Sequence, residues 1–320
     1  MRLQPRYLAP VLLVAIVGLA TLAAPAGQRT YSPDVTELMM GGASAGFVGY
    51  EGCRPFAPVV ATSNGSGVKK QLGPLEYEPC VLLVRAGMTP AFYAWIASAM
   101  AGDHVAKRVE LRTVDHTGAV RQSLQLQDAV VTRVTFPEFN GMSKDTATVR
   151  VELAPSAVVL QGAGGTSALA LSKTKAPLLS SFKVTLDGAH VASAAAIGPV
   201  DVRMPGVSAR AVEGSPATPS AADPQPFRFT VGGTKLSPAH AWLEGFLLQT
   251  QHTDADEATL VLEARDPTLS TVMYTVTLEG VGVLGGDIYF ANASSTQPSS
   301  WRSFELYAEK ATLHPAPSWS

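Results

Sequence analysis

Apolar and polar residues alternate with a period of two along much of this chain, which marks half-buried strands. Over 147–153, Val149, Val151 and Leu153 share one face and Arg150 and Glu152 the other. Strands are also predicted over 46–52, 80–85, 108–114, 119–126 and 131–136, and again over 181–186, 227–231, 258–264, 271–278 and 303–311. The period becomes helical only twice. Phe92, Trp95, Ile96 and Ala99 line one face of a helix that Thr89 can cap, that carries Pro90 at its first position and that Gly102 can end. Ser237 and Pro238 open the second helix, and Trp242, Leu243, Phe246 and Leu247 supply its apolar face.

The two helices sit in matching contexts. Pro-Ala-Phe-Tyr-Ala-Trp from Pro90 to Trp95 and Pro-Ala-His-Ala-Trp from Pro238 to Trp242 each follow an apolar strand and precede a strand, a turn and a second strand. The turns are Asp115-His116-Thr117-Gly118, with Gly where a positive φ is easiest, and Asp266-Pro267. Asp128-Ala129-Val130 is matched with Glu279-Gly280-Val281, and Asn140-Gly141 with Asn292-Ala293. The order repeats, so the chain is read as two copies of one unit, over 31–160 and 178–315, joined by a linker over 161–177. Gly162-Ala163-Gly164-Gly165 lacks the Lys-Ser/Thr of a phosphate loop and reads as spacer. Each copy also holds a long loop rich in Gly, Ser and Pro, over 57–79 and 205–226.

Composition supports strands and turns over bundles: charged residues make up 16%, with 28 Gly and 23 Pro. A net charge of −2 gives no electrostatic footprint for nucleic acid. The N-terminus has a different character. Arg2 and Arg6 precede an almost wholly apolar run over 8–24, and Ala24-Pro25-Ala26 offers small residues at a cleavage site. A signal peptide over 1–26 is expected, with export to the periplasm or the extracellular space, and an uncleaved membrane anchor is the alternative. In an oxidising compartment Cys53 and Cys80 can form a disulfide; two buried free thiols are the alternative.

Candidate chemistry is sparse. Six histidines, at 104, 116, 190, 240, 252 and 314, make no metal-ligand spacing. Gly-x-Ser-x-Gly does not occur, so a nucleophile elbow is missing. Asp254, Asp256 and Glu257 read as a solvated turn, because a Ca²⁺ loop needs more ligands and a Gly at defined spacing. Trp95 and Trp242 read as core anchors and not as a sugar platform. No catalytic residue, metal ligand, cofactor or small-molecule substrate is assigned, and the chain is not expected to be an enzyme.

The pattern resembles the tube proteins of contractile phage tails and the related Hcp tube proteins of type VI secretion. Phe182–Gly188 matches that family's Phe-x-Val-x-Leu-Asp-Gly opening. The helix over 90–102, the hairpin turn over 115–118, Asp128-Ala129 and Asn140-Gly141 match in the first copy, and Glu279-Gly280 and Asn292-Ala293 in the second. The resemblance covers most of the chain outside its leader. It implies a mainly β fold of two tandem tail-tube-like β-barrels, each with one flanking α-helix. It further implies a structural protein that self-associates into rings or tubes, with the loops over 57–79 and 205–226 as contact arms. Two barrels per chain would let three chains complete a six-barrel ring. The alternative is an exported tandem-barrel module that binds another exported protein or a glycan.

Overall fold

The computed structural model describes residues 35–316, apart from 64–66, 86–87, 163, 168–175, 206–221, 233–237, 249–252 and 287–301. The expected signal peptide, most of the linker, most of the second arm and Asn292-Ala293 lie outside the described residues. Among the described residues, no helix is long and apolar enough to cross a membrane.

The first half contains β1 (Val35–Met40), β2 (Ala43–Gly52), β3 (Pro55–Phe56), β4 (Val59–Ser63), β5 (Val68–Leu72), β6 (Glu76–Tyr77), β7 (Cys80–Val84), α1 (Pro90–Met100), β8 (Lys107–Val114), β9 (Val120–Phe136), β10 (Phe139–Asn140), β11 (Val149–Ala154) and β12 (Ala157–Gln161). The second half contains β13 (Phe182–Leu186), β14 (Ala189–His190), β15 (Ala194–Ile197), β16 (Val200–Arg203), β17 (Asp223–Pro224), β18 (Phe227–Val231), α2 (Pro238–Leu248), β19 (Ala258–Arg265), β20 (Val272–Gly286), β21 (Arg302–Tyr307) and β22 (Lys310–Pro315).

Strands β11, β7, β2, β1, β8 and β9 pair in that order, and β9 pairs back onto β11, so the first barrel closes. The second follows the same circuit through β21, β18, β15, β14, β13, β19 and β20, with β14 and β15 as two pieces of the strand equivalent to β2. Closure matters because it leaves few strand edges unpaired. The fold is therefore mainly β, with two barrels and one helix flanking each. A continuous core runs through both, from Leu38 and Val84 to Leu262 and Leu313.

The copies agree down to their irregularities. In the first barrel the β8–β9 register slips between Lys107↔Ala129 and Val109↔Leu126; in the second, β19–β20 slips between Ala258↔Val281 and Leu260↔Leu278. Asp128 (φ 44) and Gly280 (φ 60) sit in those slips with a left-handed backbone. Gly280, and not Glu279, is therefore the counterpart of Asp128, one residue from the match that side-chain type suggests. A second slip skips Thr132 where β9 meets β11, and Leu284 where β20 meets β21. Shared bulges re-aim both strands in the same way.

Other expectations need revision. The strands predicted over 119–126 and 131–136 are one strand, β9, bent at Asp128 and not broken there. The stretch 57–79, read as a loop, pairs as two short ladders, β3–β6 and β4–β5. Thr89 makes no side-chain cap to α1; its backbone N–H donates to the Ala45 carbonyl, so the helix is docked to the barrel and not capped by the hydroxyl. β1, β12 and β15 carry too little polar alternation to stand out in the sequence, whereas β16 and β22 alternate but are only four and six residues long.

Gly52, at the end of β2, has φ 77, and a Cβ there would strike the Pro79 carbonyl oxygen. Gly52→Ala is expected to lower folding stability by about 2 kcal/mol or more, read by urea unfolding. An unchanged midpoint would show that this corner relaxes freely.

Candidate assembly interface

The barrels are not separate beads. β9 is 17 residues long and β8 only 8, so past Ala129 the side of β9 that β8 covers is left open. β11 takes the other side. The open side is filled from the second half: β16 pairs antiparallel through Val200↔Phe136, Asp201↔Thr135, Val202↔Val134 and Arg203↔Arg133. The ladder runs one step further, with Met204 N–H donating to the Thr132 carbonyl at 3.0 Å. β17 pairs with the far edge of β16, so the base of the second arm is a short hairpin laid against the first barrel.

Two further contacts complete this junction. β10 pairs with β15, Phe139 opposite Ile197. Helix α1 of the first half packs on β22 of the second, burying Ala311 and Leu313. The rings of Phe136 and Tyr274 lie 5.7 Å apart, and those of Phe139 and Phe182 5.6 Å apart. Such aromatic pairs add to area burial. Burial pushes the phenols of Tyr93 and Tyr274 well above their ordinary value, as a dry junction requires.

One ion pair crosses the ladder. Asp201 accepts from Arg133 Nε and a second guanidinium nitrogen at 2.6 Å each, and from Thr135 Oγ1 at 3.0 Å. Burial pushes the Asp201 carboxyl up. The bonds from Arg133 and Thr135, with the charges of Arg133 and Arg203, outweigh it and hold the carboxyl below its ordinary value.

The first arm has no such seat. β4 and β5 pair only with each other among the described residues, and every residue of both strands is exposed. Yet its base repeats the second arm register for register. Pro55↔Tyr77 and Phe56↔Glu76 correspond to Val202↔Pro224 and Arg203↔Asp223. The bond from Glu78 N–H to the Arg54 carbonyl corresponds to that from Gln225 N–H to the Asp201 carbonyl. Cys53 and Cys80 stand at the root of the first arm with Cα atoms 4.5 Å apart, within the span of a disulfide.

The residues weighed for chemistry take structural posts. Trp95 Nε1 donates to the Val105 carbonyl and Trp242 Nε1 to the Asp256 carbonyl, so each indole pins the segment leaving its helix. Asp256 accepts from Thr253 within one turn, and Glu257 accepts from the Tyr307 hydroxyl at 2.6 Å. That bond, with burial, pushes the Tyr307 phenol up to about 12. Asp187 accepts from the Thr259 N–H, remote from Asp201 in its role. His240 is buried, and desolvation with the Arg302 charge lowers its pKa; Glu244 is bound to Arg302 at 2.6 Å. Among the described residues, no three His, Cys, Asp or Glu side chains cluster as a metal site.

No protein-family model matches the chain, and no curated protein matches it. Solved structures do. A chain of the anti-feeding prophage cap, a tube-terminating cap, is 20% identical over 46% of this chain and 99% of its own, with a TM-score of 0.35. A chain of the sheath–tube complex of an extracellular contractile injection system, PVC, in its extended state is 21% identical over 40% and 88%, with a TM-score of 0.35. Hcp1 from Flavobacterium johnsoniae is 12% identical over 42% and 99%, with a TM-score of 0.28.

The Arg133–Asp201 pair is partly exposed, so a double-mutant cycle is expected to give a coupling of about 1 kcal/mol, smaller in 1 M salt. A carboxyl with a depressed pKa stabilises the fold above the ordinary carboxylate value and loses that contribution as pH falls. The coupling should therefore fade below about pH 4. A coupling unchanged by both salt and acid would show that the pair acts by packing alone.

Proposed function

We propose that this chain is a non-enzymatic structural protein, akin to tail tube proteins, that self-associates through its barrels outside the cytoplasm. The observation that carries this reading is the internal junction. One barrel accepts an arm of the other by strand addition, an arrangement suited to repetition between chains. The duplicated pattern of strands, helix and turns, with its resemblance to tube proteins, supports the same reading. Three chains completing a ring of six barrels is the form this association takes under that resemblance.

The disulfide belongs to the same proposal. The base of the second arm is held by β9, whereas the first has no strand beside it among the described residues. A Cys53–Cys80 bridge fixes the root of the free arm instead, and on the chain-entropy model contributes about 3 kcal/mol to stability. It requires an oxidising compartment, which export directed by the expected leader would supply.

Light scattering with negative-stain microscopy on the purified chain tests the reading. Closed particles of several chains with a central hole are expected. A monodisperse monomer at high concentration would overturn self-association and leave a tandem-barrel binding module. For the bridge, alkylation with and without reductant should show two thiols only after reduction; labelling of both beforehand would remove it.

A further inference from the structure

The chain's own junction shows which surfaces would meet between copies. Barrel one presents the open side of β9 and helix α1; barrel two presents the hairpin β16–β17 and strand β22. Each has a counterpart that makes no equivalent contact among the described residues. The β9 edge used by the junction is Thr132–Phe136, and its counterpart begins at Leu284, with β20 over 284–286 as its described part. There β21 takes one side, and β19 has already ended at Ala258↔Val281. Among the described residues no strand pairs with the side that β19 vacates. The counterpart of α1 is α2. The counterpart of β16–β17 is β3–β6, and that of β22 is β12, which pairs with β9 as β22 pairs with β20.

Exposure follows the same division. Leu313 on β22 is 3% exposed beneath α1, while its counterpart on β12, Leu160, is 65% exposed. Phe56, at the arm root, is 42% exposed, and Leu284, at the bulge of β20, is 52% exposed. Val59, Val60, Val68, Leu72 and Leu75 on the arm and Leu248 at the end of α2 are also exposed. Phe56, Val159, Leu160, Leu248 and Leu284 thus lie on the four elements that the internal junction leaves over, and Val59, Val60, Val68, Leu72 and Leu75 on the part of the first arm that extends from the β3–β6 root. Exposed apolar surface gathered in this way marks an interaction site and not random surface composition.

We propose that the chain repeats its internal junction in trans: β3–β6 and β12 of one copy seat on the edge of β20 that begins at Leu284 and on helix α2 of a second copy. This rests on the self-association reading and adds the surfaces and the register. The contact is heterologous, so it propagates head to tail and closes only if the rotation allows. It is also weaker than the internal junction. Pro55 replaces Val202 at a position whose N–H faces the acceptor strand, so one ladder bond is missing. The Arg133–Asp201 pair has no like counterpart either, since Arg54 replaces Asp201 and Gly285 replaces Arg133.

The test uses two exposed substitutions, one on each face. Leu160→Glu disables the donating face and Leu284→Glu the accepting face. Phe56→Glu is a second donor variant should Leu160→Glu unfold, as thermal melting would reveal. Each variant alone is expected to associate about 30-fold or more weakly than the parent chain. A mixture of one donor variant with Leu284→Glu should stop at a 1:1 pair, because only one intact junction remains available. Pro55→Val should tighten association of the parent chain by restoring the missing donor. If the parent associates and the folded variants do so equally well, the junction is wrong while self-association stands. If the mixture forms no pair, the head-to-tail register is wrong. A monomeric parent overturns both readings.

Discussion

A backbone amide or carbonyl without a partner is costly wherever water is excluded, and the second half of β9 concentrates that demand. The strand outruns β8, and past its bend at Asp128 the vacated side would stand open. Filling it from β16 brings the second barrel against the first. The apolar contacts follow from this: α1 over β22, Phe136 beside Tyr274, and a core without a break between the halves. Strand addition sets the register, and the hydrophobic contacts supply most of the stabilisation.

Much of this was legible in the sequence, and the rest was not for identifiable reasons. Long alternating segments such as β11 and β19 announced themselves because one face is buried and the other wet. The helices were legible because a Pro-Ala start is followed within two turns by a Trp and an apolar face at helical spacing in each, with Trp95 five residues past Pro90 and Trp242 four past Pro238. Strands such as β15, an Ala-Ala-Ala-Ile run, have no polar face to reveal the period. The first arm, rich in Gly, Pro and Ser, looked like a loop because its ladders are short and solvent-exposed on both faces. The partner of Asp128 was misplaced by one residue. Sequence favours matching Glu279 with an acid, whereas the backbone needs a left-handed residue, and Gly280 meets that need at no steric cost.

The site itself was the least legible part. Asp201 gave no signal as a sequence position, since its partner Arg133 is distant in the chain and the pairing exists only because β16 crosses to β9. A cue was present in retrospect. Two arm roots with the same hairpin geometry carry opposite charges, Arg54 and Asp201, and differ at Pro55 and Val202. Equivalent positions that diverge in this way have different neighbours. The second arm root is seated on β9, whereas the first carries exposed apolar side chains with no strand beside them among the described residues.

Fusing two barrels into one chain also changes how any assembly responds to dilution. The junction through β16 is intramolecular, so its effective concentration is set by the chain and not by the solution. Under the proposed association, only the contact made by the first arm would sense protein concentration. An assembly built this way would come apart into paired barrels and never into single ones. Its dissociation would be governed by the side of the repeat where proline has taken away a hydrogen-bond donor.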